Sequence, residues 1–255
     1  MSRLKLDRIG EQFKTNEGYI ITIIDYKNAN NVTIQFQDER KTILKDREYR
    51  HCRNGDIKNP YHPNEYGGFI GVGEYKAYID KKVTKCYLKW MNMLKRLHND
   101  NMTYRDSSYK EVVLCKEWYN FQNFAEWYYN NYYEIDGEIM HLDKDILYKG
   151  NKEYAPDKCM FVPEYINMLF IKQENKRGNL PIGVCYNKQC NKYLATCRIS
   201  NSQKYLGLYN TPEEAFKVYK EFKEAYIKEV ADEYRNRIPK ELYDAMYRWV
   251  VEISD

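Results

Sequence analysis

Residues 183–219, GVCYNKQCNKYLATCRISNSQKYLGLYNTPEEAFKVY, determine the predicted fold of the C-terminal third of the chain. Three runs with strand-like alternation, LPIGVCY, NKYLATCRIS and QKYLGLYN, are separated by turns at 187–191 and 200–202. A helix follows, because Thr211 suits an N-cap, Pro212 suits the first helical position, and Glu213 and Glu214 suit the positive helix end. We therefore predict a three-stranded antiparallel sheet packed on one long helix, whose apolar stripe is Ala215, Val218, Tyr219, Phe222, Ala225 and Tyr226.

Alternation along the predicted strands divides their side chains between two faces. In the middle strand Tyr193, Ala195, Cys197 and Ile199 are expected to face the helix. The outward face is then predicted to carry polar side chains from all three strands: Asn187, Lys192, Thr196, Arg198, Gln203 and Tyr205.

Such a face has the chemistry of a DNA-binding surface. A small β-ribbon fits the major groove of B-DNA, where Arg, Asn and Gln match the edges of purines, and Lys contacts phosphates. We expect Arg198, Gln203 and Tyr205 to contact bases, and Arg177, Lys188 and Lys192 to contact phosphates. From Lys172 to Asn210 seven Lys or Arg residues stand against one acid, Glu174, which is typical either of a site for an anionic partner or of a solvated basic loop.

The same segment resembles the AP2/ERF DNA-binding domain over about 50 residues. The resemblance is carried by Gly183-Val184, the run Lys192–Ala195, Leu206-Gly207 and the Thr-Pro-Glu-Glu-Ala helix start at Thr211. It implies that Thr196, Arg198, Gln203 and Tyr205 contact bases and backbone. The chain departs from plant members at Ile182 and Cys185, where those members usually carry arginines.

A second cluster of polar residues lies at 141–145, His-Leu-Asp-Lys-Asp. In a strand His141, Asp143 and Asp145 would share one face, because each is two residues from the next. A histidine and a carboxylate can hold Mg²⁺ and activate a water against a phosphodiester. The alternative is structural, with Asp143 and Asp145 capping turns at the end of a strand.

The wider segment resembles the HNH (ββα-metal) nuclease motif of phage and mobile-element proteins. The matching residues are LDKDIL, then Gly-Asn, Tyr-x-Pro, Cys-x-Phe-Val and Asn167 on a following helix. The resemblance implies that His141 and Asp143 hold Mg²⁺, with Asn167 and Lys144 as further catalytic positions. Lys144 stands where active members have the general-base histidine, and an ordinary lysine is protonated near neutral pH. No second Cys or His lies at ligand spacing from Cys159, so no zinc is expected.

Three domains are predicted, with the fold class α+β: a β-rich accessory module at 1–73, an HNH-like ββα domain at 74–175, and an AP2/ERF-like domain with a C-terminal helix at 176–255. In the first, GYIITIIDY and NNVTIQF predict a β-hairpin. In the second, helices are predicted over 84–98 and 115–132. The buried face of the second helix is expected to include Trp118, Phe121, Phe124, Trp127 and Tyr128, together with Val113 just before it.

Composition limits the class of protein. Hydrophobic residues make up 43% and charged residues 31% of 255, as in an ordinary globular protein, and no run is long and apolar enough to span a membrane. The N-terminus has no signal-peptide pattern, and seven scattered cysteines fit a reducing compartment. We therefore expect an intracellular protein, and the resemblance to phage proteins implies the cytoplasm of a bacterial host.

The leading expectation is sequence-selective binding of double-stranded DNA by a phage or mobile-element protein. Two alternatives of different class stay open: a Mg²⁺-dependent HNH-type homing endonuclease, and a non-catalytic regulator or antagonist of a host system. The N-terminal module, in addition, is a candidate for binding a protein partner.

Overall fold

The computed structural model describes residues 7–98, 111–171, 179–200 and 202–255. Helices and antiparallel sheets occur in separate parts of the chain, which confirms the α+β class. None of the helices in these described ranges is both long and apolar enough to cross a membrane.

The chain divides into two compact units. The first comprises Met1–Asn99 and Lys116–Glu126, and the second comprises Asp100–Cys115 and Trp127–Asp255. The three domains proposed from the sequence, with bounds at 73 and 175, stay a prediction.

The first unit begins with a four-stranded antiparallel sheet in the order β1-β2-β3-β4 and a short helix, α1. Their bounds are β1 Gln12–Lys14, β2 Ile20–Asn28, β3 Asn31–Phe36, β4 Ile43–Arg47 and α1 Tyr49–Asn54. The predicted hairpin is β2-β3, and its alternate residues Ile21, Ile23, Val32, Ile34 and Phe36 are fully buried. The predicted hairpin is confirmed, and its buried residues alternate because successive side chains of a strand point to opposite faces.

The first unit also contains a short hairpin and an aromatic core. The elements are β5 Tyr78–Ile79, β6 Lys82–Val83, α2 Lys85–His98, a 3₁₀ turn Lys116–Tyr119, and α3 Phe121–Asn131, which begins in this unit. Trp90 and Trp118 are buried, and the Trp90 indole N–H donates to the Trp118 carbonyl at 2.7 Å. The second predicted helix begins later than expected, at Phe121, because residues 116–119 form the 3₁₀ turn.

The second unit contains a strand-strand-helix element. Its antiparallel strands are β8 Met140–Asp143 and β10 Met160–Pro163, and its helix is α4 Glu164–Leu169. Beside it, β7 Val113–Leu114 pairs in parallel with β9 Glu153–Tyr154. Val113 was expected on the buried face of a helix, but it lies in β7 and is exposed.

The C-terminal part of the second unit has the predicted three strands and helix. The strands β11 Val184–Asn187, β12 Lys192–Ile199 and β13 Ser202–Tyr209 form one antiparallel sheet, followed by α5 Pro212–Tyr234 and α6 Lys240–Arg248. Thr211 caps α5 as expected: its side chain accepts from the Glu214 N–H, and the Glu214 carboxylate accepts from the Thr211 N–H in return.

Helix α5 contributes to two hydrophobic cores. Ala215, Phe216 and Tyr219 pack with the sheet residues Val184, Ala195 and Cys197. Further along, Tyr226, Ile227, Val230, Ala231 and Tyr234 pack with residues of β10, α4 and α6. The predicted stripe was wrong at Ala225, which is exposed, and it omitted Phe216 and Ile227. A stripe with two packing partners rotates around the helix, whereas our prediction assumed one sheet.

Candidate nucleic-acid interface and strand-strand-helix site

The outward face of the C-terminal sheet, defined by Asn187, Lys192, Thr196, Arg198, Gln203 and Tyr205, is formed by cross-strand pairs. Arg198 lies opposite Gln203, and Thr196 lies opposite Tyr205. The Gln203 side-chain amide donates to the Thr196 hydroxyl at 2.8 Å. Directly opposed residues of antiparallel strands share a face, so these four side chains form one patch.

A bulge interrupts β13 beside this patch. The register shifts between Ala195 and Thr196, so that Leu206 is an extra residue on β13. Leu206 packs into the core with Ala195 and Cys197, while Tyr205 is 62% exposed. Tyr205 and Leu206 therefore lie on opposite sides of the sheet at the bulge.

The charge on this part of the sheet is entirely positive. Between 179 and 210 the sequence has four cations, Lys188, Lys192, Arg198 and Lys204, and no acid. All four are exposed, and the Lys204 ammonium lies 4.7 Å from the ring centre of Phe222, on the helix side. The Arg198 Nε donates to the Ser200 carbonyl at 3.2 Å, and guanidinium has further donors for a ligand.

The two ends of the predicted interface differ from its centre. Asn187 pairs with Lys192 at the edge of the sheet, but its side-chain oxygen accepts from the Gln189 N–H at 3.0 Å and so helps to form the turn. Arg177, the remaining predicted phosphate contact, lies outside the described residues.

The strand-strand-helix element places its polar residues less evenly. β8 ends at Asp143, so Asp145 lies in the following turn and the expectation of three residues on one strand face was wrong for it. The Asp143 Oδ1 accepts from the Asp145 and Ile146 N–H groups, both at 2.8 Å. Burial raises the pKa of Asp143, against these two hydrogen bonds, which lower it. The carboxylate therefore ends the strand by capping a turn.

Lys144 is buried inside the same turn. Its ammonium lies 2.8 Å from both Asp145 carboxylate oxygens and donates to the Asn151 carbonyl at 3.1 Å. The Asn151 side chain returns a hydrogen bond to the Lys144 carbonyl at 2.8 Å. A role for Lys144 as base or phosphate contact would require this network to break.

His141 lies close to Glu164, a residue that was not predicted from the sequence. Its Nε2 lies 3.7 Å from the Glu164 carboxylate, the first residue of α4. His141 is opposite Val162 on β10, and Glu164 follows two residues later. An acid in the first turn of a helix that directly follows a strand is the signal that could have found it. Asn167 lies one turn further along α4 and is half-buried.

The described residues contain no group of three or more His, Cys, Asp or Glu side chains arranged to hold a metal ion. His141 and Asp143 provide two candidate donors, with one Asp143 oxygen already bonded to backbone. Cys159 is buried, and burial raises the pKa of its thiol to about 12, so the thiol is protonated at neutral pH.

No family model, no curated protein and no solved structure matches this chain. The function of this protein is therefore inferred from the geometry and charge of the C-terminal sheet and of the strand-strand-helix element.

Proposed function

We propose that this protein binds double-stranded DNA through the outward face of its C-terminal sheet. The single observation that carries the proposal is the cross-strand patch of exposed Arg198, Gln203 and Tyr205 with half-buried Thr196. It lies in a 32-residue segment, 179–210, that has four cations and no acid. An origin in a phage or another mobile element, in a bacterial cytoplasm, belongs to the same proposal, because it rests on the resemblances of the two segments.

The exposed side chains of the sheet divide into those that would contact bases and those that would contact phosphates. Arg198 and Gln203 present donors suited to purine edges, and Tyr205 adds apolar contact area. Lys188 and Lys192 lie towards the other end of the sheet, where they would neutralise phosphates. Sequence selectivity then comes from the patch, and most of the salt dependence comes from the lysines.

The test is selection of a preferred site from a random duplex pool, followed by measurement of affinity for that site. Arg198→Ala should lower this affinity by about 1–3 kcal/mol, roughly 5- to 150-fold, if its guanidinium contacts a base. Arg248→Ala removes an exposed arginine from α6 and serves as the matched control. Equal affinity of the folded Arg198→Ala variant and the control would reject the sheet as the interface.

Lys192→Ala separates phosphate contacts from base contacts. It should weaken binding to all sequences alike and lower the salt slope by about 1. A loss confined to the preferred site would instead mean that Lys192 contacts a base.

Metal-dependent cleavage of DNA is the second candidate function. One observation favours it: a strand-strand-helix element in which His141 and Glu164 come within 3.7 Å, with Asp143 on the same strand. Mg²⁺ would be held by His141 and Asp143, and it would supply an activated water. Binding without cleavage, as in a regulator, is placed first because Lys144 and one Asp143 oxygen are engaged within the fold.

A cleavage assay distinguishes the two functions. The full-length protein is incubated with a diverse duplex pool in Mg²⁺, Mn²⁺ or EDTA. Asp143→Asn keeps an acceptor for the two backbone N–H groups and removes the charge, so it is a milder test than Asp143→Ala. Cuts that need metal and are lost in Asp143→Asn and His141→Ala establish a nuclease. Duplex that is retarded on a gel and stays intact supports the non-catalytic regulator.

A further inference from the structure

The most strongly charged part of the described chain lies outside the C-terminal sheet. Residues 76–98 have seven Lys or Arg side chains against one acid, Asp80: Lys76, Lys81, Lys82, Lys85, Lys89, Lys95 and Arg96. The segment therefore has a formal charge of +6, whereas the whole chain has +4. The other residues together carry −2, so this charge is concentrated locally.

The first part of the segment is a two-stranded ribbon. Tyr78 pairs with Val83 and Ile79 pairs with Lys82. Its turn residues, Asp80 and Lys81, both have positive φ, 49° and 63°, which is the geometry of the tight turns that join hairpin strands. The tip therefore presents Lys81 and Lys82, both exposed, beside the exposed side chains of Tyr78 and Ile79.

The ribbon is fixed to the start of α2. The Thr84 N–H donates to the Ala77 carbonyl at 2.9 Å, and the Thr84 hydroxyl accepts from the Tyr87 N–H at 3.2 Å. The Tyr78 ring lies 5.8 Å from that of Tyr87, which in turn lies 5.6 Å from that of buried Trp90. Hairpin and helix therefore form one rigid surface rather than a hairpin on a flexible linker.

The outer face of α2 continues the positive charge. Lys85, Asn92, Lys95 and Arg96 are exposed along α2, on the side away from the buried residues Cys86, Trp90, Met93 and Leu94, and Lys89 is half-buried beside them. The sequence of α2 contains four Lys or Arg residues and no acid. Lys85 lies at the positive end of the helix dipole, where a cation is unfavourable. Burial and the nearby charge of Arg96 both lower the pKa of Lys89.

We propose that the hairpin 78–83 and the outer face of α2, here called the basic hairpin-helix surface, bind the phosphate backbone of duplex DNA. The surface lies in the first unit and shares no residue with the sheet. This second proposal rests on the proposed function only for the identity of the partner, duplex DNA. Charge complementarity selects a polyanion, and a ribbon of this width enters a groove of the duplex. The protein then contacts DNA at two places, one selective and one electrostatic.

The test uses the full-length protein and a random-sequence duplex of about 30 base pairs. The triple variant Lys81→Gln/Lys82→Gln/Lys85→Gln is compared with Lys27→Gln/Lys45→Gln/Lys58→Gln, which removes the same charge from other exposed positions of the first unit. Each phosphate contact contributes about 0.9 to the slope of log affinity against log salt. We expect the first variant to lower the slope by about 2–3 and the affinity tenfold or more. The second should lower neither by half as much.

The outcomes are distinct. Equal effects of the two triple variants would mean that only net charge matters, and an unchanged slope would mean that no phosphate is bound; either result overturns the proposal. Tighter binding to single-stranded RNA than to the duplex would overturn the assignment of the partner. If Arg198→Ala has no effect while the hairpin variant weakens binding, the sheet proposal fails and this one stands. Circular dichroism and the melting temperature exclude misfolding of either variant.

Discussion

The strand-strand-helix element and the C-terminal sheet with its helix α5 each bury one lysine. The two lysines differ in whether a carboxylate is paired with the buried side chain. Lys144 is 9% exposed, and its ammonium is paired with the Asp145 carboxylate and the Asn151 carbonyl. Lys223 on α5 is 8% exposed and faces the neighbouring Cys197 thiol, with no carboxylate paired to it among the described residues. Burial lowers the pKa of Lys223, whereas the network around Lys144 satisfies its charge.

The difference shows how each region uses its polar residues. In the strand-strand-helix element, polar side chains hold a turn together, so they are engaged within the fold. In the sheet, the interior is apolar apart from Lys223, and the polar residues are left on the outward face. A region whose charged side chains are paired within the fold has fewer of them available to bind a ligand. For this reason we propose the sheet, rather than the strand-strand-helix element, as the DNA interface.

The largest expected effect tests how tightly the sheet is packed on α5. Gly183 precedes β11 with φ of +77°, and an added Cβ would come within 2.1 Å of the Tyr219 ring. Gly183→Ala should therefore destabilise the fold by about 3 kcal/mol. Gly150, in the loop after β8, has φ of +79° but nothing near its Cβ, so Gly150→Ala should cost only about 1 kcal/mol. Urea melts of both variants measure this; equal losses would contradict the tight contact.

The next effect concerns the paired lysine. Lys144→Met should destabilise the protein by about 2 kcal/mol, because it removes charged hydrogen bonds and leaves the Asn151 carbonyl and the Asp145 carboxylate without their cation. The control is Lys152→Met, since Lys152 pairs with Glu111 at the surface and its loss should leave the melt near wild type. A stability of Lys144→Met equal to the control's would remove the structural role of the network.

The other buried lysine should behave with the opposite sign. Lys223→Met replaces a largely buried lysine, to which no carboxylate of the described residues is paired, by an apolar side chain of similar length, and such replacements are often stabilising, here by about 1 kcal/mol at pH 6. Destabilisation comparable to that of Lys144→Met would mean that the two sites are equivalent, and the comparison between the regions would fail.

The smallest expected effect is the pH dependence of the stability change caused by Lys223→Met. Because the folded pKa of Lys223 is lowered, the unfolded chain binds more protons between that pKa and the ordinary value, and wild-type stability rises with pH there. The advantage of Lys223→Met should therefore be largest at low pH and shrink as the pH rises towards the ordinary lysine pKa. Paired melts at several pH values measure the difference; a constant difference would contradict the lowered pKa.

Much of the fold could be predicted because its signals are local. The two β-branched runs predicted the hairpin β2-β3, the alternation in β12 placed Ala195 in the core, and the cap at Thr211 began α5 at the right residue. The outward face of the sheet followed from the same alternation. Strands of six to nine residues repeat the pattern often enough to fix which side faces the core.

Short elements were predicted less well. β8 has only four residues, so extending its alternation to Asp145 was wrong. Glu164 was missed because its proximity to His141 depends on the pairing of β8 with β10, two strands separated by 16 residues of chain. Cross-strand neighbours of this kind are set by register, which a single sequence does not display.

The sequence by itself determined the α+β class, the three-strand sheet with its capped helix, and the polar residues available for function. Only the tertiary structure decided which of those polar residues are engaged within the fold, as Asp143 and Lys144 are, and which stay exposed, as Arg198 and Tyr205 do. It also placed Lys223 in the core despite its charge. The physical reason is that periodicity depends on neighbours along the chain, whereas burial and ion pairing depend on groups that folding brings together.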